Sequence, residues 1–246
     1  METTNEHLSE MATRWTLIRA AEAQRGLPEG KLAQWQLLER YGGAIHRYLL
    51  GAVREPDLAY DLSQEFALRF LQGDLKGADP AKGRFRDYVK GVLRNLVAGH
   101  FRREQRRPLS LSPDHPEPGV DQLPDADDEQ AFVACWREEL LTRAWKALDR
   151  FETQSGQPYH AVLRYRADHP DERSDEMAQR LGEQLGKSIT PPGVRKALQR
   201  AREKFADLLL EDLAGSLSNP TSEQIEQELI DLELYEYCRP ALERMK

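Results

Sequence analysis

The segment Pro108–Gln130 constrains the fold of this chain more than any other feature. It holds five prolines and seven acidic residues, with no lysine or arginine. Proline lacks the backbone N–H that helices and sheets use, and a stretch with so few apolar side chains cannot build a buried core. We therefore interpret 108–130 as a flexible acidic linker, so the 246 residues fold as two small domains on either side of it.

Composition favours helices on both sides of the linker. Apolar residues make up 39%, charged residues 31% and aromatic residues 8% of the chain, which suits small helical modules with wide solvated faces. We predict an all-α protein with one domain at 11–107, a second at 131–214 and an acidic C-terminal extension at 215–246.

Several classes of protein are excluded by absent patterns. No stretch approaches the roughly 18 apolar residues of a membrane span, and the first twenty residues lack a signal-peptide layout, so we expect a cytoplasmic protein. Cys135 and Cys238 have no Cys or His at metal-ligand spacing, which predicts neither a disulfide nor a metal site. With no Gly-rich phosphate loop and no G-x-S-x-G turn, we expect no cofactor and no enzyme activity.

A basic block precedes the linker. Residues 82–107 hold nine basic residues against two acidic ones, a local balance of +7, although the chain as a whole has net charge −7. Phe85, Tyr88, His100 and Phe101 are interleaved with the cations, a mixture typical of surfaces that bind single-stranded nucleic acid. Apolar spacing predicts a helix that carries the basic residues on its exposed side and at its end. For Phe85 and Tyr88, burial in the core is the alternative.

The helix predicted after Glu55-Pro56-Asp57 carries two stripes. Leu58, Leu62, Phe66 and Phe70 recur every four residues and form an apolar stripe. The adjacent, mostly acidic face consists of Asp57, Asp61, Gln64, Glu65 and Leu68. Taken alone, such a face indicates a solvated surface, and binding of a basic protein partner is the alternative.

Two helices downstream of the linker form a helix-turn-helix pattern. We predict Ser174 as the N-cap of the first helix and Thr190 as the cap of the second, with Pro191 in its first turn. The second helix presents Arg195, Lys196, Gln199 and Arg200, residue types that read bases in a major groove and hold phosphates. A solvated basic face on an ordinary bundle helix is the alternative.

Both halves of the chain resemble the extracytoplasmic-function (ECF) subfamily of the sigma-70 family of RNA polymerase sigma factors. The segments that resemble its region 2 are Asp57-Leu-Ala-Tyr-Asp-Leu-Ser-Gln-Glu-Phe66 and Gly83-Arg-Phe-Arg-Asp-Tyr88 with the helix to Asn95. Those that resemble region 4 are Glu176-Met-Ala-Gln-Arg-Leu181 and Val194-Arg-Lys-Ala-Leu-Gln-Arg-Ala-Arg-Glu-Lys-Phe205. Thr13-Arg-Trp-Thr-Leu17 and the long turn between Leu185 and Val194 are similar to a planctomycete-type subgroup.

The resemblance implies that the chain binds core RNA polymerase and directs promoter recognition, DNA melting and transcription initiation. It implies that the clamp coiled coil of the largest polymerase subunit contacts Asp57, Asp61, Gln64 and Glu65, and that region 4 meets the flap of the second-largest subunit. The residues implied for the −10 element are Arg84, Phe85, Arg86, Tyr88, Arg94, Asn95, His100, Phe101, Arg102, Arg103 and Arg106. Those implied for the −35 element are Ser174, Thr190, Val194, Arg195, Lys196, Gln199 and Arg200.

The extension after Leu213 lies beyond the resemblance. It is acidic, and Ile225, Leu229 and Leu232 predict one amphipathic helix. One interpretation is self-inhibition, in which this helix competes with phosphates for the DNA-binding surface. The other is a packing helix that completes the second domain. An anti-sigma factor is a further possible partner.

Two other functions fit parts of the pattern. A stand-alone helix-turn-helix regulator would bind DNA without core polymerase and would normally dimerise. A decoy that binds polymerase would not need its basic helix. The two separated basic patches in a chain of net charge −7 favour a sigma factor, because each patch then binds DNA only with the help of a larger partner.

Overall fold

The computed structural model describes residues 28–72, 85–105, 129–215 and 220–245. Within those ranges the protein is all-α, as the sequence predicts, with nine helices and no strand. The helices are α1 Pro28–Val53, α2 Pro56–Gln72, α3 Phe85–Gln105, α4 Glu129–Ser155, α5 Tyr159–Asp168, α6 Ser174–Leu185, α7 Pro191–Ala214, α8 Ser222–Asp231 and α9 Tyr235–Met245.

The chain divides into two compact units, Met1–Glu139 with Gly215–Asn219 and Leu140–Ala214 with Pro220–Lys246. The division falls inside α4, whereas the sequence placed the start of the second domain at 131. The reason is that Phe132 and Trp136 are buried against helix α1 of the first unit. Helix α4 also includes Glu129 and Gln130, the last two residues of the predicted linker.

The first unit is built on α1, α2 and α3, which pack against one another. Leu49, Leu62 and Leu93 are among its fully buried side chains. Of the predicted stripe on α2, Leu62, Phe66 and Phe70 are buried, while Leu58 is half-buried and Ala59 takes the innermost place. Helix α1 ends at Val53 because Arg54 adopts a left-handed conformation at φ 57°.

The second unit is arranged around α7, which packs against α5, α6, α8 and α9. Trp145 of α4 meets Phe205 of α7 with ring centroids 4.8 Å apart. An ion pair joins the same two helices, since Arg143 Nη2 lies 2.9 Å from Asp212 Oδ2. The end of α7 is enclosed, with Leu209, Leu210 and Leu213 all buried.

The extension forms two helices where the sequence predicted one. Ile225, Leu229 and Leu232 are all buried, as the predicted stripe requires. The chain turns after α8 because Glu233 is left-handed at φ 56° and the N–H of Leu234 donates to the carbonyl oxygen of Leu229 at 2.8 Å. Helix α9 then packs back on α7.

Two leucines of α2 provide a matched test of this core. Leu62 is 2% exposed and Leu68 is 55% exposed. We expect Leu62→Ala to lower the free energy of unfolding by about 2–5 kcal/mol, because it leaves a cavity. We expect Leu68→Ala to change it by less than about 0.5 kcal/mol. Urea denaturation followed by circular dichroism measures both, and equal losses would contradict the packing of α2.

Candidate nucleic-acid interface

The acidic face of α2 is open to solvent and carries exposed apolar side chains as well. Asp57, Asp61 and Gln64 are exposed. Beside them Tyr60 is 59% exposed and Leu68 is 55% exposed. Large apolar side chains on an otherwise charged face suit a protein-binding surface better than a purely solvated one. Tyr60 lies outside both predicted stripes, so the sequence pattern did not single it out.

Glu65 lies at the edge of this face and connects α2 to α3. Its carboxylate pairs with Arg69 one turn later on α2. Its second oxygen, Oε2, lies 3.4 Å from Nη2 of Arg103 on α3. Glu65 is a predicted polymerase contact and Arg103 is a predicted DNA contact. Their ion pair therefore shows that the two predicted surfaces lie side by side.

The exposed side of α3 is basic. Arg94, Asn95 and Arg102 are exposed, and their spacing of one residue and then seven places them on one side of the helix. The guanidinium of Arg102 donates from Nε to the carbonyl oxygen of Ala98 at 3.2 Å, which holds the side chain along the helix. Together with the exposed Arg103, which pairs with Glu65, these side chains form the accessible basic part of the predicted −10 set.

Two aromatic residues border this basic side. His100 and Phe101 are half-buried, and their rings meet edge to face with centroids 5.6 Å apart. Tyr88 is also half-buried, with its hydroxyl oxygen buried. Partly exposed rings next to cations suit stacking on unpaired bases.

The structure does not place the whole predicted −10 set at the surface. Arg86 is 4% exposed, so its side chain is not accessible for the DNA contact predicted for it. It sits at the start of α3, one residue before Asp87, on the side that also buries Val89 and Leu93. Phe85 is the first residue of α3. Arg84 and Arg106 lie outside the described residues.

Helices α6 and α7 lie where the sequence predicts the two helices of a helix-turn-helix, with a short turn between them. Gly186 ends α6 in the left-handed conformation at φ 63°, which glycine adopts without steric cost. Thr190 caps α7 as predicted, since its Oγ1 accepts from the N–H of Gly193 at 3.2 Å. Pro191 is the first residue of α7, also as predicted. Ser174 is the first residue of α6 and Arg173 is its N-cap, one residue earlier than predicted.

The recognition face of α7 comprises Arg195, Lys196, Gln199 and Arg200, all of them exposed. Gln199 donates from Nε2 to Glu203 at 3.0 Å, so it is held along the helix surface. Val194 is 1% exposed and forms part of the core stripe of α7, so its side chain is not accessible for the DNA contact predicted for it. Thr190 is exposed at the start of the same helix.

Arg166 orients the approach to α6, and sequence reasoning missed it. From α5 its Nη1 donates to three backbone carbonyl oxygens, at 2.7 Å to Glu172, 3.0 Å to Pro170 and 3.4 Å to His169. A single basic residue on a helix gives no local sign of such a role. The loop that leads into the helix-turn-helix is therefore fixed by one guanidinium.

The C-terminal extension packs beside the recognition face and leaves that face exposed. Tyr237 of α9 meets Phe205 edge to face at 6.1 Å and donates to the carbonyl oxygen of Arg202 at 3.4 Å. Arg244 Nη2 lies 2.6 Å from Asp207 Oδ1. These contacts agree with the interpretation in which the extension packs against the second domain and completes it.

In the four described ranges, no group of three or more His, Cys, Asp or Glu side chains is placed to hold a metal ion. None of the described helices combines the length and the apolar content that a membrane crossing needs.

The cap on α7 yields a stability prediction. Thr190→Ala removes the acceptor for the N–H of Gly193, and we expect the free energy of unfolding of the second unit to fall by about 1 kcal/mol. Thr190→Ser keeps an equivalent oxygen and should retain most of that stability. Thermal denaturation of the three chains measures the difference, and equal loss in both variants would show that the hydroxyl does not cap the helix.

Comparison with known proteins gives one match. Residues 37–107 match the family model for sigma-70 region 2. The matched range contains all of α2 and α3, and with them the acidic face and the basic side. Searches of curated proteins and of solved structures found no match.

Proposed function

We propose that this chain, which carries a sigma-70 region 2 domain at residues 37–107, is an ECF-type sigma factor that binds core RNA polymerase and directs initiation from its own promoters. A region 2 domain supports a role in promoter recognition with RNA polymerase. Sigma factors are initiation factors and are not themselves enzymes. The family match therefore supports the broad role, and the ECF type and the residue roles are our proposal.

One observation carries the proposal. Within the region 2 domain, an exposed acidic face on α2 adjoins an exposed basic side on α3, and the Glu65–Arg103 ion pair joins them. Surfaces of opposite sign attract different partners. In our proposal the acidic face binds the clamp coiled coil of the largest polymerase subunit, and the basic side holds the separated −10 strand.

The second unit supports the other half of the proposal. An exposed recognition face on α7, preceded by a short helix and a fixed turn, is the arrangement that reads a major groove. We propose that this face reads the −35 element while the unit rests on the flap of the second-largest subunit. The planctomycete-type subgroup and an anti-sigma partner stay predictions from the sequence.

Dependence on core polymerase tests the proposal. The free chain has net charge −7, so we expect weak promoter binding by the chain alone and at least about tenfold tighter binding with core enzyme, with run-off transcripts from the same DNA. Gel shifts with and without core enzyme measure this. Tight binding of double-stranded DNA by a dimer without core enzyme would instead identify a stand-alone regulator.

A charge reversal locates the polymerase contact in the same assay. Asp61→Arg on the acidic face should abolish association with core enzyme, because it opposes a basic partner surface. Glu39→Arg is the matched control, since Glu39 is an exposed acidic residue on α1 of the same unit. Loss of association in both variants would indicate a general effect of charge.

The recognition face gives a separate prediction. Replacing both Arg195 and Arg200 by Ala should lower initiation from a promoter with a −35 element by at least about 30-fold, because two base contacts of about 1–3 kcal/mol each contribute at least about 2 kcal/mol together. Arg239→Ala, on an exposed arginine of α9, should leave initiation unchanged. Promoter-specific run-off transcription measures both, and full activity of the double variant would show that α7 does not read the −35 element.

A further inference from the structure

Glu65 differs from its neighbours on the acidic face of α2. Asp57 and Asp61 are exposed, whereas the side chain of Glu65 is only 26% exposed. Each of its two carboxylate oxygens meets a different guanidinium. Oε1 pairs with Arg69 one turn later on α2, and Oε2 lies 3.4 Å from Nη2 of Arg103 on α3. Glu65 therefore connects the acidic face of α2 to the basic side of α3.

The two ion pairs of Glu65 act in sequence on Arg103. Glu65 and Arg69 are four residues apart on one helix, so their pair fixes the carboxylate relative to α2. The other oxygen of that carboxylate then contacts the end of the Arg103 side chain. An exposed arginine without such a partner would sample many rotamers and would lose that freedom on binding a ligand. Glu65 therefore restricts an arginine that belongs to the neighbouring helix.

The guanidinium of Arg103 keeps donors for a ligand while it is held. Its side chain is 59% exposed, although one of its nitrogens contacts Glu65. A guanidinium carries five N–H donors in a planar fork, so a contact at one nitrogen leaves the other donors for an anion. Arg69 and Arg103 share one carboxylate, so the three groups together carry a charge of about +1 and still attract a phosphate.

Arg103 lies beside the aromatic residues of α3. His100 is three residues earlier, so the two side chains share one side of the helix. The ring of His100 is half-buried and meets the ring of Phe101 edge to face. Arg102 is held differently, because its Nε donates to the carbonyl oxygen of Ala98 within α3. An ordered cation next to partly exposed rings suits a single strand, which offers phosphates to cations and bases to aromatic rings.

We propose that Glu65 is a positioning residue for nucleic-acid binding, which orders Arg103 so that Arg103 holds a phosphate of a single strand. This inference rests on the proposed function, in which that strand is the separated strand of the −10 element. Glu65 does not touch the strand and acts through Arg103. The contact of Glu65 with polymerase is a separate prediction, and the positioning role does not need it. The opposite effect is that Glu65 neutralises Arg103 and weakens its contact with the strand.

A double-mutant cycle on the full chain separates these two effects. The four proteins are the native chain, Glu65→Ala, Arg103→Ala and the chain with both changes. Fluorescence anisotropy measures their affinity for a labelled oligodeoxythymidine strand at low salt. Removing the charge of Glu65 strengthens the binding of any anion, but this general effect is the same with and without Arg103. The cycle cancels that effect and leaves the coupling between the two residues.

We expect Arg103→Ala to weaken binding at least about fivefold when Glu65 is present, because it removes a charged hydrogen bond to a phosphate. With Glu65→Ala in the same chain, the loss should fall below about twofold, because Arg103 must then be ordered at the expense of its rotamer freedom. Glu65→Gln keeps an acceptor for Arg103 and should restore part of the loss. An equal or larger loss without Glu65 overturns the positioning role, and so does the absence of any loss or of measurable binding in the native background.

Asp61→Ala provides the matched control, because Asp61 is an exposed acidic residue one turn earlier on the same face of α2. Its effect and that of Arg103→Ala should add, and coupling as large as that of Glu65 would overturn a specific role for Glu65. A merely structural role would lower the affinity equally with and without Arg103. Core-dependent initiation by the native chain is measured separately. If it fails while the coupling is present, the proposed function has failed and the positioning role stands.

Discussion

The contact of Phe132 and Trp136 with Tyr41 and Tyr48 determines where the first unit ends. Burying these rings makes the first residues of α4 part of the first unit. Helix α4 therefore contributes to both compact units, its first turns to one and its later turns to the other. A charged linker alone would have left the domains joined only by a tether.

Charge is divided between neighbouring helices of the first unit. Most of the apolar stripe of α2 is buried, so its acidic residues face outward, and on α3 Arg94, Arg102 and Arg103 face outward while Arg86 is buried. The Glu65–Arg103 ion pair lies where these surfaces adjoin. Because both partners are partly exposed, the pair contributes little to stability. The arrangement gives one small unit two surfaces suited to partners of opposite charge.

The second unit uses its packing to present one helix. The later part of α7 is enclosed by other helices, with Leu209, Leu210 and Leu213 buried, while its first turns keep their basic side exposed. Arg166 and the Thr190 cap fix the loop and the turn that precede this exposed part. In the function that we propose for α7, this rigid support reduces the conformational entropy lost when the helix enters a DNA groove.

The sequence determined the helices and their faces, because helical periodicity, caps and linker composition act over a few residues. It located α2 with its two stripes, the Thr190 cap and the basic side of α7. Tertiary structure decided which candidates stay accessible. Arg86 and Val194 are buried, because burial depends on which helices pack against a face. The packing of the first turns of α4 on α1 could not be predicted from local patterns, since its contacts join residues as far apart as Arg47 and Glu139.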